Sequence, residues 1–191
     1  MTTSIESGES GKGIFRSFTA VDLVTLAVFA ALYRALWYVW HALGFLFPFN
    51  LALNGFFFVL TAVAAIVIVR KVGAGTVYVI ATQLINLFLQ GELLAAAAIY
   101  LTWALLADLF LYFRVRAGAD PYSRFSDMVI ASVLLSLVWT IVTIGITVPF
   151  MFMIELPTSV FISLNVVSFV VGIVGGIIGY GLGDRLQKVL I

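Results

Sequence analysis

The sequence predicts an all-α, polytopic membrane protein: a compact bundle of six transmembrane helices. Three observations predict it. First, 63% of the 191 residues are hydrophobic and 10% are charged, whereas soluble domains are about 45–50% apolar and about 25% charged. Second, the apolar residues fall into six runs, at 20–41, 52–69, 73–90, 93–113, 127–150 and 158–182. Each is near the roughly 20 residues that a helix needs to cross a bilayer. Third, the basic residues keep to one side. With the amino terminus in the cytoplasm, the inner segments hold Lys12, Arg16, Arg70, Lys71, Arg114, Arg116, Arg124, Arg185 and Lys188, and the outer loops hold no Lys or Arg. That is the positive-inside pattern. An even number of spans places both termini in the cytoplasm, as expected for a multi-pass protein of the plasma membrane.

Residues 1–16 open with "MTTSIESGESGKG", polar and rich in Gly and Ser. They read as a disordered cytoplasmic tail, ahead of a six-helix transmembrane domain at 17–191. The first span starts at "TAVD" (19–22), which has the form of a capping box with Asp22 in place of Glu. Within it, Ala27, Ala31, Arg34, Tyr38 and His41 recur at steps of four and three and so share one helix face. An arginine at bilayer depth costs about 2.5–3.5 kcal/mol on insertion scales. Facing lipid, Arg34 would have to snorkel; facing the bundle, it meets a carboxylate such as Glu92 or Glu155, a carbonyl, or the anionic group of a ligand.

Only Arg70, Lys71, Val72 and Gly73 separate the second and third spans, which suits a tight helical hairpin. The second span brings Asn54. The third carries Thr76, Gln83, Asn86 and Gln90 on one face, and three amides in a row exceed what one interhelical hydrogen bond requires. The fourth starts at Glu92 and carries Ala96, Tyr100 and Trp103 on the same face. Asp108, near its inner end, is expected to pair with Arg114 or Arg116. On the fifth span Ser132, Ser136, Trp139 or Thr140, Thr143 and Thr147 align, the two serines as close-packing positions bonded back to their own helix. The sixth has Asn165, Ser168, Gly172, Gly175 and Gly179 on one face and Gly183 beyond. Glycines four apart let helix backbones approach, inside the bundle or against a partner subunit.

These groups converge toward the outer ends of the spans. A partly apolar cavity with a few convergent polar groups is the usual form of a small-molecule site. The expected substrate-binding residues are Arg34, Tyr38, His41, Asn54, Gln83, Asn86, Gln90, Glu92, Tyr100, Trp103, Trp139 and Glu155. With no cysteine and one histidine, thiolate chemistry and disulfides are excluded and no metal or other cofactor is expected. No Gly-x-x-x-x-Gly-Lys-Ser/Thr loop is present. His41 has no serine or cysteine nucleophile in a recognisable setting, so an enzyme is not expected.

The turn and helix "VRKVGAGTVYVIATQLINLFLQGE" (69–92), with six short spans and the small residues Ala27-x-x-x-Ala31 on the first helix, resemble the substrate-binding S component of energy-coupling factor (ECF) transporters. The Arg-Lys-x-Gly-Ala turn looks like the YkoE-like branch, which is linked to thiamine and its hydroxymethylpyrimidine precursor. The resemblance implies capture of a vitamin or precursor at the outer face, then delivery inward with a transmembrane coupling subunit and two cytoplasmic ATPases. It also implies that Ala27, Ala31 and, in a second register, Ala35 dock on the coupling subunit. In that branch acidic residues are expected along the third helix, where Gln83 and Asn86 stand here. The alternatives are a stand-alone secondary transporter or channel subunit, for which no inverted repeat is evident, and a purely structural subunit, in which the polar group is mutually satisfied.

Overall fold

The computed structural model describes residues 17–42, 49–90, 94–141 and 157–190. They form α1 (Ala20–Ala42), α2 (Phe49–Val69), α3 (Ala74–Gln90), α4 (Leu94–Arg116), α5 (Phe125–Trp139) and α6 (Thr158–Leu190). All six predicted runs are thus helical where they are described. α6 continues past its apolar stretch as a polar helix, where Lys188 and Asp184 pair across one turn at 2.6 Å. α5 passes into a wider, π-type turn at 140–141, and the remainder of the predicted run to 150 lies outside the described residues. Three helices are long and apolar enough to cross a membrane, over Ala20–Trp40, Ala52–Val69 and Thr158–Val189; α3 and α5 hold the shorter apolar stretches Ala74–Leu89 and Phe125–Leu137.

α2 is the core helix. Ala62, Val63, Ala64, Ala65 and Ile66 are consecutive and fully buried, so this part of the helix is covered on every side, as an all-round apolar helix must be. It packs on α1, α3, α5 and α6, while α4 closes the far side by packing on α3 and α5. The surrounding helices turn large apolar residues outward, among them Val28 on α1, Phe88 on α3, Leu105 on α4, Ile130 on α5 and Val170 on α6. Apolar surface on every peripheral helix is far more than a water-soluble monomer exposes and suits contact with lipid.

The glycines of α6 explain its fit to α2. A Cβ at Gly175 would press on the Phe56 carbonyl, one at Gly179 would overlap the Leu60 carbonyl oxygen, and one at Gly183 would crowd the Ala64 carbonyl. Both series advance by four in the same direction, so the two helices run parallel with backbones in contact. Gly172 and Gly176 admit Ser136 and Ser132 of α5 in the same way. The glycine face is therefore used inside the bundle. Ser132 bonds back to the Met128 carbonyl at 2.7 Å as expected, whereas the buried Ser136 hydroxyl has no partner among the described residues.

One end of the bundle collects the charges. The capping box at α1 forms: the Thr19 amide donates to Asp22 at 2.6 Å and the Asp22 amide to the Thr19 hydroxyl at 3.3 Å. Lys71, in the α2–α3 turn, donates to the same carboxylate at 2.5 Å and to the Ser17 carbonyl at 2.8 Å. Arg70 occupies the left-handed position that ends α2, with φ 52°. From there it donates to Asp120 and Ser123 of the α4–α5 loop and to Gln187 of α6 at 3.4 Å. The expected pairing of Asp108 with Arg114 or Arg116 is not what forms. Arg114 pairs with Asp127 at 3.0 Å. Asp108 instead crosses to α3 and accepts from the Gly75 amide at 3.1 Å and from the Thr76 amide and hydroxyl at 2.6 Å each. The amides that open a helix lack internal partners and carry partial positive charge, so they are a natural seat for a carboxylate.

Candidate functional site

α1 to α5 each contribute one aromatic ring to a single cluster: Tyr33, Phe58, Tyr78, Tyr100 and Trp139. Trp139 stacks on Phe58 with centroids 5.2 Å apart and lies 6.3 Å from both Tyr33 and Tyr100. Phe58 also meets Tyr33 edge-on at 5.5 Å and Tyr78 at 5.9 Å. Each such pair adds about 0.5–1.5 kcal/mol beyond the burial of its area, so the rings form a rigid wall. Tyr78 is also fixed at its far end, where its hydroxyl and that of Thr61 are 2.7 Å apart.

Two features of the sequence make room for Trp139. Gly55 of α2 faces the indole: a Cβ there would stand 2.5 Å from its Cδ1, 2.7 Å from its Nε1 and 3.2 Å from the Ser168 hydroxyl. Trp139 also ends the regular part of α5, just where the backbone widens into the π-type turn, a local irregularity common at functional sites.

Several buried polar groups of α2, α5 and α6 are unanswered. The Trp139 indole N–H, the Asn54 carbonyl oxygen and the hydroxyls of Thr140 and Ser168 are buried with no hydrogen-bond partner among the described residues. Leaving one such group unpaired costs about 1–3 kcal/mol, and native structures leave few. Four such groups, with the indole N–H and the Ser168 hydroxyl both close to Gly55, are a reason to look for a ligand.

Arg34 follows Tyr33 on α1 and stays close to its ring. Its guanidinium carbon stands 5.1 Å from the Tyr33 centroid and 5.9 Å from that of Trp37. It is buried, and its Nε has no hydrogen-bond partner. Gln83 and Asn86 of α3 are buried as well, the Asn86 amide donating to the Gln83 carbonyl oxygen over a long 3.5 Å.

Of the residues expected at a site, Arg34, Asn54, Gln83, Asn86 and Trp139 are buried inside the bundle, and Tyr100 is half-buried against Trp139. Tyr38 is exposed, its ring edge-on to Trp37 at 5.0 Å, and takes no part in the cluster. The expected common face of α1 is thus divided: Arg34 turns inward with Leu26, Ala30 and Tyr33, while Ala27, Ala31, Ala35 and Tyr38 remain exposed. His41, Gln90 and Trp103 fall on helices, but their side chains, like the whole of Glu92 and Glu155, lie outside the described residues. Reasoning from sequence missed Tyr33, Phe58, Tyr78, Thr140 as an unpaired group, and Gly55. Gly55, next to Asn54 and followed by three phenylalanines, was the one available signal of a close approach.

Comparison with protein-family models, with curated proteins and with solved structures gave no match for this chain.

Proposed function

We propose that this chain is a membrane-embedded solute-binding subunit, the S component of an ECF-type importer. It crosses the plasma membrane six times with both termini in the cytoplasm, captures a vitamin-sized aromatic solute from the outer side and passes it inward with a coupling subunit and ATPases. The observation that supports this reading best is the ring wall contributed by five helices, with the unpaired Trp139 N–H and Ser168 hydroxyl beside it at Gly55. Such a wall, built on rigid helices and rich in unused hydrogen-bonding capacity, is how a site recognises a planar polar molecule. The hydrogen-bonded charges gather at one end of the bundle, and the positive-inside rule puts that end in the cytoplasm.

The exposed Ala27, Ala31 and Ala35 give α1 a shallow outer face, suited to close approach by a partner helix. A stand-alone transporter would need no such partner. Co-expression with a coupling subunit and its ATPases, followed by uptake assays on reconstituted vesicles, separates the two. Under the proposal, solute accumulates only with the partners and ATP, and Ala31→Trp blocks assembly without abolishing solute binding. Uptake by the chain alone would make it a secondary transporter or channel. A mass spectrum of small molecules retained through purification identifies the solute, and an empty spectrum together with no uptake would sink the solute-binding reading.

A further inference from the structure

Among the described residues, nothing neutralises the charge of Arg34. Its residue surface is 7% exposed. None of the four ion pairs among the described residues includes it. The described carboxylates, Asp22, Asp108, Asp120, Asp127 and Asp184, are all engaged at the charged end. The rings of Tyr33 and Trp37 attract the guanidinium but cannot cancel its charge. A buried lysine would answer by losing its proton; arginine does not deprotonate in proteins. The uncompensated cation therefore selects for an anion, and a guanidinium holds a carboxylate with two parallel hydrogen bonds.

Tyr33 connects this charge to the ring wall, since its ring lies 5.1 Å from the Arg34 guanidinium carbon and 6.3 Å from the Trp139 ring. An anion at Arg34 and a ring beside Trp139 are therefore within the span of one small molecule. The Trp139 N–H and the Ser168 hydroxyl, both close to Gly55, then supply a donor and an acceptor for heteroatoms on that ring. We propose that the solute is a planar aromatic or heteroaromatic acid, its carboxylate held by Arg34 and its ring beside Tyr33 and Trp139. This rests on the reading of the chain as a solute-binding subunit and fixes the charge of the solute. A cation of the thiamine kind would meet a like charge here, with Gln83 and Asn86 in place of carboxylates.

The test uses the purified full-length chain and equilibrium dialysis against matched probes: benzoate, nicotinate, 4-aminobenzoate and indole-3-acetate, the primary amide of each, and thiamine. At least one acid should bind tenfold or more tightly than its amide and than thiamine. Arg34→Gln should remove that preference, and Arg34→Lys should retain part of it. Equal binding of acid and amide, tighter binding of thiamine, failure of every acid, or a preference that survives Arg34→Gln would overturn the proposal. Should Arg34→Gln not fold, the solutes released from the wild-type chain decide: an aromatic acid supports the assignment, and an amine, or phospholipid alone at Arg34, refutes it. Acid-selective binding without ATP-driven uptake would leave the anion site standing and remove the S-component reading. ATP-driven uptake of a cation would do the reverse.

Discussion

The Asp108 carboxylate of α4 closes the first turn of α3 by accepting from both the amide and the hydroxyl of Thr76, each at 2.6 Å. Three donors, counting the Gly75 amide, converge on one buried carboxylate and join two consecutive helices at the charged end. Hydrogen bonds to a charged group contribute about 1.5–3 kcal/mol each, and a helix cap about 0.5–2 kcal/mol.

Asp108→Ala should therefore destabilise the bundle by about 2–4 kcal/mol, from the loss of several such bonds together. Thr76→Val, which removes only the hydroxyl, should cost about 1 kcal/mol. Unfolding in detergent, followed by circular dichroism, measures both. The double variant should be no worse than Asp108→Ala by more than a few tenths of a kcal/mol, because the two side chains act through one contact. Full additivity would show that the cap does not hold α3.

This contact also shows where sequence reasoning stops. Asp108 is six residues from Arg114 and on the same helix, so proximity along the chain suggests an ion pair. Its real partners are 32 and 33 residues away, and no local pattern announces them. The helices themselves were legible, because each depends on a run of apolar residues and a break. Arg34 was legible too, because a charge in such a run is conspicuous. Tyr33, Phe58 and Tyr78 were not: in an apolar helix an aromatic residue that joins a ring cluster looks like one that fills space. The divided face of α1 has a related cause. Arg34 stands at the margin between the buried Ala30 and the exposed Ala27, and its long side chain can bend to whichever side is favourable.

Tyr122, in the loop between α4 and α5, should show itself at high pH. Burial, reinforced by the carboxylates of Asp108 and Asp120, pushes its phenol up from the ordinary value and outweighs the opposing pull of Arg70. As pH rises through about 10, the usual phenol value, the unfolded chain releases this proton while the folded chain keeps it. The folded state then binds more protons, so stability falls as pH increases. Tyr122→Phe should flatten the stability profile between about pH 9 and about pH 11. At neutral pH it should leave stability nearly unchanged, because the hydroxyl it removes is buried without a partner. An identical slope in the variant would show that Tyr122 does not contribute to it.

The parallel contact of α2 and α6 yields a paired test. Gly179→Ala sets a methyl group against the Leu60 carbonyl oxygen, a rigid backbone atom, and overpacking of this kind costs about 1–3 kcal/mol. Gly181→Ala, two residues on, meets nothing within 4 Å and should gain up to about 1 kcal/mol from helix propensity. The same substitution on the same helix thus changes sign with the face. Unfolding of both variants in one detergent provides the comparison, and equal effects would mean that α6 does not sit on α2 by its glycine face.

Gly55 and Trp139 give the sharpest test of the site. The indole occupies the space that a side chain at 55 would need, with its nitrogen 2.7 Å from where a Cβ would stand. Gly55→Ala must displace the ring, and displacement breaks its stacking on Phe58 and its contacts with Tyr33 and Tyr100. The loss expected from those ring pairs is about 1–3 kcal/mol of stability, with a shift in tryptophan fluorescence as the indole moves. Trp139→Phe keeps a stacking ring but removes the unpaired N–H together with part of the indole, and the space left by the smaller ring should cost the empty protein about 0.5–3 kcal/mol. It should also lower affinity for the retained solute about tenfold, since a hydrogen bond to a ligand contributes about 0.5–1.5 kcal/mol and more when the ligand atom is charged. The two variants therefore separate wall from recognition. If Trp139→Phe binds the solute as well as the wild-type chain while Gly55→Ala does not, the indole acts by shape alone, and its N–H is not a contact of the site.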